Sequence, residues 1–232
     1  MFRNPLENLF PANAGVEEII MNLLLMVVPF LVAITVHELA HGFTAYRLGD
    51  NTAKNQGRLT LNPIKHIDPF GLLMIVIFRF GWAKPVPVNM YSFKHPKRYM
   101  AVTAFAGPLS NIILAMTAML VWGIVSDPGI IFFAREPAVF FSREPMGFVD
   151  NLFFSLVGIN IMLAFFNLLP IPPLDGSKIV FSLLSEESYI KLMRYERYGM
   201  FILLLLLNIP NVRGEFTRII NNVFASFFLL IN

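Results

Sequence analysis

The chain has 232 residues, 56% hydrophobic and 14% charged with 24 Phe, and so apolar a composition excludes an ordinary soluble domain and makes the bilayer the expected solvent. It has no cysteine, so a disulfide framework is excluded and any metal site must draw on His and carboxylate ligands. The net charge of +3 does not point to nucleic acid, because the basic residues sit in loops beside apolar runs, where the positive-inside bias accounts for them.

A membrane-spanning helix needs roughly 20 apolar residues, about 30 Å at ~1.5 Å per residue. The first run without Asp, Glu, Lys or Arg covers residues 19–36. It lacks a small-residue cleavage site and leads straight into charged sequence, so it reads as a retained span and not as a removable signal peptide. At its end stands His37-Glu38-Leu39-Ala40-His41. Positions i and i+4 share one helix face, so the two imidazoles can bind one zinc, and Glu38 can take a proton from the water at the metal. The bland alternative is a His-Glu pair satisfying itself at the interface. Against it stands the cost of placing ionisable groups beside membrane helices, ~2.5 to 3.5 kcal/mol each.

The connection from Gly49 to Tyr99 carries Arg47, Lys54, Arg58, Lys65, Lys84, Lys94, Lys97 and Arg98 in or next to it with few acids, which places it in the cytoplasm and the N-terminus outside. Its apolar residues 69–78 are too few to span easily as a helix, and Leu59 and Leu61 alternate with polar neighbours, so a partly re-entrant β-hairpin is expected between Gly57 and Asn89. Pro85-Val86-Pro87-Val88 is extended because residues before proline avoid the helical region. Its prolines block one edge and leave the other free to pair, which makes Val86 and Val88 candidates for binding an unwound peptide. His66 and His95, each beside a lysine, read as solvated loop residues and not as ligands.

The second span is residues 99–126 and contains Gly107-Pro108-Leu109-Ser110-Asn111, whose small residues could serve helix packing alone. The loop 127–150 mixes acids and bases, as an outer loop would, and is too short for a globular insert. The third span, 151–174, runs into Asn167-Leu168-Leu169-Pro170-Ile171-Pro172-Pro173-Leu174-Asp175-Gly176. Its prolines must end the helix and expose backbone, which at membrane depth lines a cavity. Asp175-Gly176 could be a plain turn, but with two histidines seeking a third ligand Asp175 is the natural candidate. The apolar runs at 198–212 and 219–232 are shorter, so the expected fold is an all-α polytopic membrane protein of four to six spans forming a single domain, 1–232.

HELAH in an early span, LDG after a later one and GxxxN between them resemble the site-2 protease family of intramembrane metalloproteases over nearly the whole chain. The resemblance implies one zinc per chain on His37, His41 and Asp175, with Glu38 as general base. It implies an active-site role for Asn167, here read as a donor to the reaction oxyanion, and a place near the active site for Gly107 and Asn111, with substrate contact as one possible role. It further implies membrane-protein substrates with helix-weak spans and a setting in a prokaryotic cell membrane with the active site toward the cytoplasm. Room is lacking for the PDZ or nucleotide-sensing domains many members carry, so the chain resembles the minimal ones. A metal transporter, or a binder that does not cut, would share the ligand set but would not need Glu38 as a base. Oligomeric state is not legible.

Overall fold

A computed structural model describes residues 15–78, 83–126 and 147–194, with isolated positions 198, 199, 214, 218 and 222. In chain order its helices are α1 (Val16–Arg47), α2 (Thr52–Asn55), α3 (Pro69–Phe78), α4 (Pro96–Ser126), α5 (Phe148–Asn167), α6 (Asp175–Phe181) and α7 (Glu186–Arg194), with short 3-10 turns at Pro63–Lys65 and Met90–Ser92. Among the described residues, α1, α4 and α5 are the three helices long and apolar enough to cross a membrane. Of the four to six spans expected, the runs 198–212 and 219–232 lie almost wholly outside the described residues, as does most of the loop 127–150.

The three long helices pack mutually, neighbours antiparallel, because each carries one buried face at helical spacing. On α4 that face is Thr103, Gly107, Asn111, Ala115, Met119 and Trp122; on α1 it is Ala33, His37, His41 and Ala45. One half of the bundle is apolar: Ala115, Ala118 and Met119 of α4 meet Val157 and Ile161 of α5, with Phe153 and Leu156 beside them. Alanines let the helix backbones approach closely where no hydrophobic effect drives them together. At the end of that half Trp122 Nε1 donates to Asp150 at 2.8 Å and joins α4 to the start of α5. The opposite half of the bundle, toward the end of α1 and the start of α4, is polar and holds the site.

α1 does not stop where its uncharged run ends. It carries the HELAH residues onward to Arg47 and closes on Gly49, whose φ of +108° suits a residue without a Cβ. Asp50 N donates to Ala45 O at 2.9 Å and Gly49 N to Tyr46 O at 3.2 Å, satisfying carbonyls the helix end would leave open.

The expected β-hairpin is corrected. Residues 69–78 are helical, and the connection holds one isolated antiparallel bridge, Ile67 with Ala83, and no named strand among the described residues. Asp68 accepts from the N–H groups of Phe70 and Gly71, both at 2.9 Å, and Pro69 needs no partner at the first helical position, so capping chemistry starts a helix there. Residues 84–89 are extended, as the prolines require. They are held by Lys84 N to His66 O and Arg58 Nη2 to Lys84 O at one end, and by Asn89 N to the fully buried Asp50 at 2.6 Å at the other. His66 is likewise corrected: it is fully buried, with Nε2 2.9 Å from Thr60 O, and braces this clamp, whereas His95 is exposed.

Candidate metal centre

His37 and His41 sit one turn apart on the buried face of α1, and Asp175 opens α6. The chain reaches Asp175 by breaking α5 at Asn167 and turning through Leu169–Pro173, with a cis peptide between Pro172 and Pro173. Gly176 makes the return possible, since a Cβ there would overlap the Leu168 and Leu169 carbonyls. Asp175 Oδ2 then lies 3.2 Å from His37 Nε2 and 3.1 Å from His41 Nε2, and the two Nε2 atoms are 2.9 Å apart. This is the one group of His and acidic side chains among the described residues placed to share a metal ion.

The partners on the far side of each ring decide what those nitrogens offer. His41 Nδ1 is 2.7 Å from Thr103 O, a carbonyl that can only accept, so Nδ1 carries a proton and donates it. His37 Nδ1 is 2.6 Å from Asn111 Oδ1 and donates likewise. In both neutral rings the Nε2 lone pair therefore faces Asp175, whose buried Oδ2 has no hydrogen-bond donor. Two lone pairs and an anionic oxygen converging this closely need a cation between them. Ligand atoms around a tetrahedral zinc with bonds of about 2.0–2.1 Å stand roughly 3.3 Å apart, close to the separations here. Two imidazoles and one carboxylate can thus hold one zinc and leave a tetrahedral ion one open position.

Glu38 is 8% exposed, and its Oε2 accepts from Val86 N–H at 2.7 Å. Pro85 and Pro87 have no N–H, so Val86 supplies the one amide donor of that tripeptide, and it is committed to Glu38 instead of to a free edge. Gly42, one turn after Glu38, lets the extended segment approach: a Cβ there would come 3.0 Å from Val86 Cγ1 and 2.8 Å from Leu59 Cδ2. Glu38 Oε1 has no partner among the described residues.

Gly107 and Asn111 stand against the histidines. A Cβ on Gly107 would overlap the His41 ring and lie 2.6 Å from His37 Cε1, so glycine here makes room for the ligands. Asn111 is fully buried behind His37. Asn167 sits at the last turn of α5, with Nδ2 donating to Leu163 O at 3.0 Å. Val88 lies on the extended segment two residues beyond Val86, and no partner for its N–H is found among the described residues. Sequence reasoning did not single out Asn160, fully buried on α5, whose Oδ1 accepts from Asn111 Nδ2 at 2.7 Å. Its signal is a polar side chain inside an apolar span, two turns before Asn167 on the same face. The Thr103 carbonyl is backbone and leaves no signal in a side chain.

The chain is 42% identical to "Putative zinc metalloprotease YwhC" of Bacillus subtilis (strain 168) over 185 residues, 80% of each protein. It is 29% identical to "Putative zinc metalloprotease Rip2" of Mycolicibacterium smegmatis over 201 residues, 85% of this chain and 71% of that one, and 27% identical to the protein of that name from Mycobacterium tuberculosis (strain H37Rv) over 207 residues, 84% of this chain and 71% of that one. No solved structure gives a significant match. The sequence model of peptidase family M50 covers residues 25–209, from before the HELAH turn to well past Asp175. A zinc site of the kind its relatives are named for is therefore no isolated coincidence of three side chains, and the chain belongs to peptidase family M50, the site-2 protease family of metalloproteases.

Proposed function

We propose that this metalloprotease is an intramembrane endopeptidase, hydrolysing peptide bonds within or near the transmembrane segments of membrane proteins with its active site toward the cytoplasm. The observation that carries the reading is the position of the ligands: two lie on a helix of membrane-spanning length and the third directly follows the break of another. Basic residues on the connection after α1 support the cytoplasmic placement.

Zinc held by His37, His41 and Asp175 supplies Lewis-acid polarisation of a carbonyl and acidification of water. Glu38, anchored through Oε2, takes the proton of the attacking water at Oε1 and delivers it to the leaving amine nitrogen as the C–O bond forms and the C–N bond breaks. Asn167, whose second amide N–H is not engaged by Leu163, donates to the oxyanion. A helical substrate hides its carbonyls in internal hydrogen bonds, so it must unwind first, and helix-weak spans are the preferred substrates. The Pro85–Val88 segment beside Glu38 receives the unwound chain through Val88 N–H and its carbonyls, which have no partner among the described residues.

The deciding experiment is cleavage of a single-span substrate with a helix-breaking segment by the purified full chain in detergent. Cutting that stops on chelation and returns with zinc supports the reading. No cutting of any such substrate by protein carrying one zinc per chain overturns it. The segment's two valines separate within the same assay. Val86→Pro removes the donor that holds Glu38 and is expected to lower kcat by about tenfold or more; Val88→Pro is expected to raise KM with kcat less affected. Zinc content stays at wild-type level in both. Normal turnover in the two variants would remove the segment from the mechanism.

A further inference from the structure

We propose that Asn160, in the middle of α5, is a positioning residue for the metal centre: through Asn111 it holds the His37 ring with its proton on Nδ1 and its Nε2 lone pair toward the zinc. The inference rests on the zinc reading of His37, His41 and Asp175 and extends it to a span that contributes no ligand from within its helix.

The two histidines are oriented by different means. His41 is set by the Thr103 carbonyl, a backbone group that cannot change its polarity. His37 faces a side-chain amide instead, and an amide can present either its oxygen or its NH2. Presented the wrong way, Asn111 would donate to Nδ1, move the ring proton to Nε2 and block the position the metal needs. What prevents this lies behind Asn111. Its Nδ2 donates to Ala33 O at 3.1 Å and to Asn160 Oδ1 at 2.7 Å, so both groups behind it are acceptors. Asn160 is itself fixed, because its Nδ2 donates at 2.8 Å to Leu156 O, a carbonyl of its own helix one turn back.

Every proton in the relay then has one direction: His37 Nδ1 to Asn111 Oδ1, Asn111 Nδ2 to Asn160 Oδ1, Asn160 Nδ2 to Leu156 O. Reversing either amide sets oxygen against oxygen, at Leu156 O for Asn160 and at both Ala33 O and Asn160 Oδ1 for Asn111. Asn111 and Asn160 are fully buried and His37 is 3% exposed. Such buried amides are costly unless fully paired, which makes the relay directional. The buried neighbours of Asn160 on α5 are Val157, Ile161 and Ala164, so packing alone would be served by an apolar residue.

The test measures zinc dissociation constants by competition with a chromophoric chelator, on the purified full chain in detergent, for wild type, Asn160→Leu, Asn111→Ala and the double variant. Asn160→Leu is expected to weaken zinc roughly tenfold, the lower end of the ~10–100-fold that outer-shell partners of a metal ligand carry. Asn111→Ala is expected to cost at least as much, and the double variant no more than Asn111→Ala, since Asn160 acts through Asn111. Asn160→Asp is expected to recover most of the loss: buried among apolar side chains its carboxyl stays neutral, donates O–H to Leu156 O and accepts from Asn111. If Asn160→Leu does not fold, Asn160→Ala takes its place with the same expected weakening. Wild-type affinity in Asn160→Leu or Asn160→Ala, or losses that multiply in the double variant, would overturn the relay while leaving the zinc site standing. A wild type that takes up no zinc would overturn the site and the relay together.

Discussion

Glu38→Gln is expected to retain one zinc per chain and lose cleavage by about 10²–10⁴-fold, the range general-base catalysis contributes. The separation follows from the geometry. Glu38 is not among the three groups whose atoms converge at the metal position, so its loss takes nothing from the ligand set. Gln keeps the shape and the acceptor oxygen, and Val86 N–H can still be received as it is by Oε2. What disappears is an oxygen able to accept a proton and carry it to the leaving nitrogen. The measurement is zinc content by elemental analysis beside cleavage of a single-span substrate. Loss of zinc together with activity would place Glu38 among the ligands; cleavage near wild type would remove it as the base.

Parts of this arrangement are legible in the sequence because they are local. An uninterrupted apolar run near bilayer length marks a candidate span, and HELAH puts two imidazoles on one face by helical periodicity alone. Asp175 could be named because three prolines nearby forbid the helix from continuing. The β-hairpin is not found among the described residues, and the reason is equally physical: ten apolar residues are too short to span but not too short to coil, and Asp68-Pro69 is a helix-start signal that outweighs the alternation at Leu59 and Leu61. Burial of His66 and the clamp through Asp50 depend on partners that local pattern does not reveal, Lys84 and Asn89. Asn111 could be singled out but not given a role, since what it does is set by His37, 74 residues away, and by Asn160 on another helix.

Asp175→Ala is expected to abolish stoichiometric zinc binding, and cleavage with it. Two imidazoles on one helix turn remain, but both are neutral ligands, and the carboxylate that would balance the cation, 3.1–3.2 Å from their Nε2 atoms, is gone. The affinity lost should exceed the ~10–100-fold that outer-shell changes cost, because a ligand itself is removed. Asp175→Ala should also leave the fold intact, since Gly176, and not the carboxylate, makes the contact with Leu168 and Leu169 that seats α6. Zinc per chain, read beside the melting profile of the metal-free protein, therefore distinguishes a lost ligand from a lost structure. A variant melting like metal-free wild type but holding no zinc assigns Asp175 as the third ligand. One that keeps a full complement of tightly held zinc would require another donor for that position, since the break in α5 would no longer end at the metal.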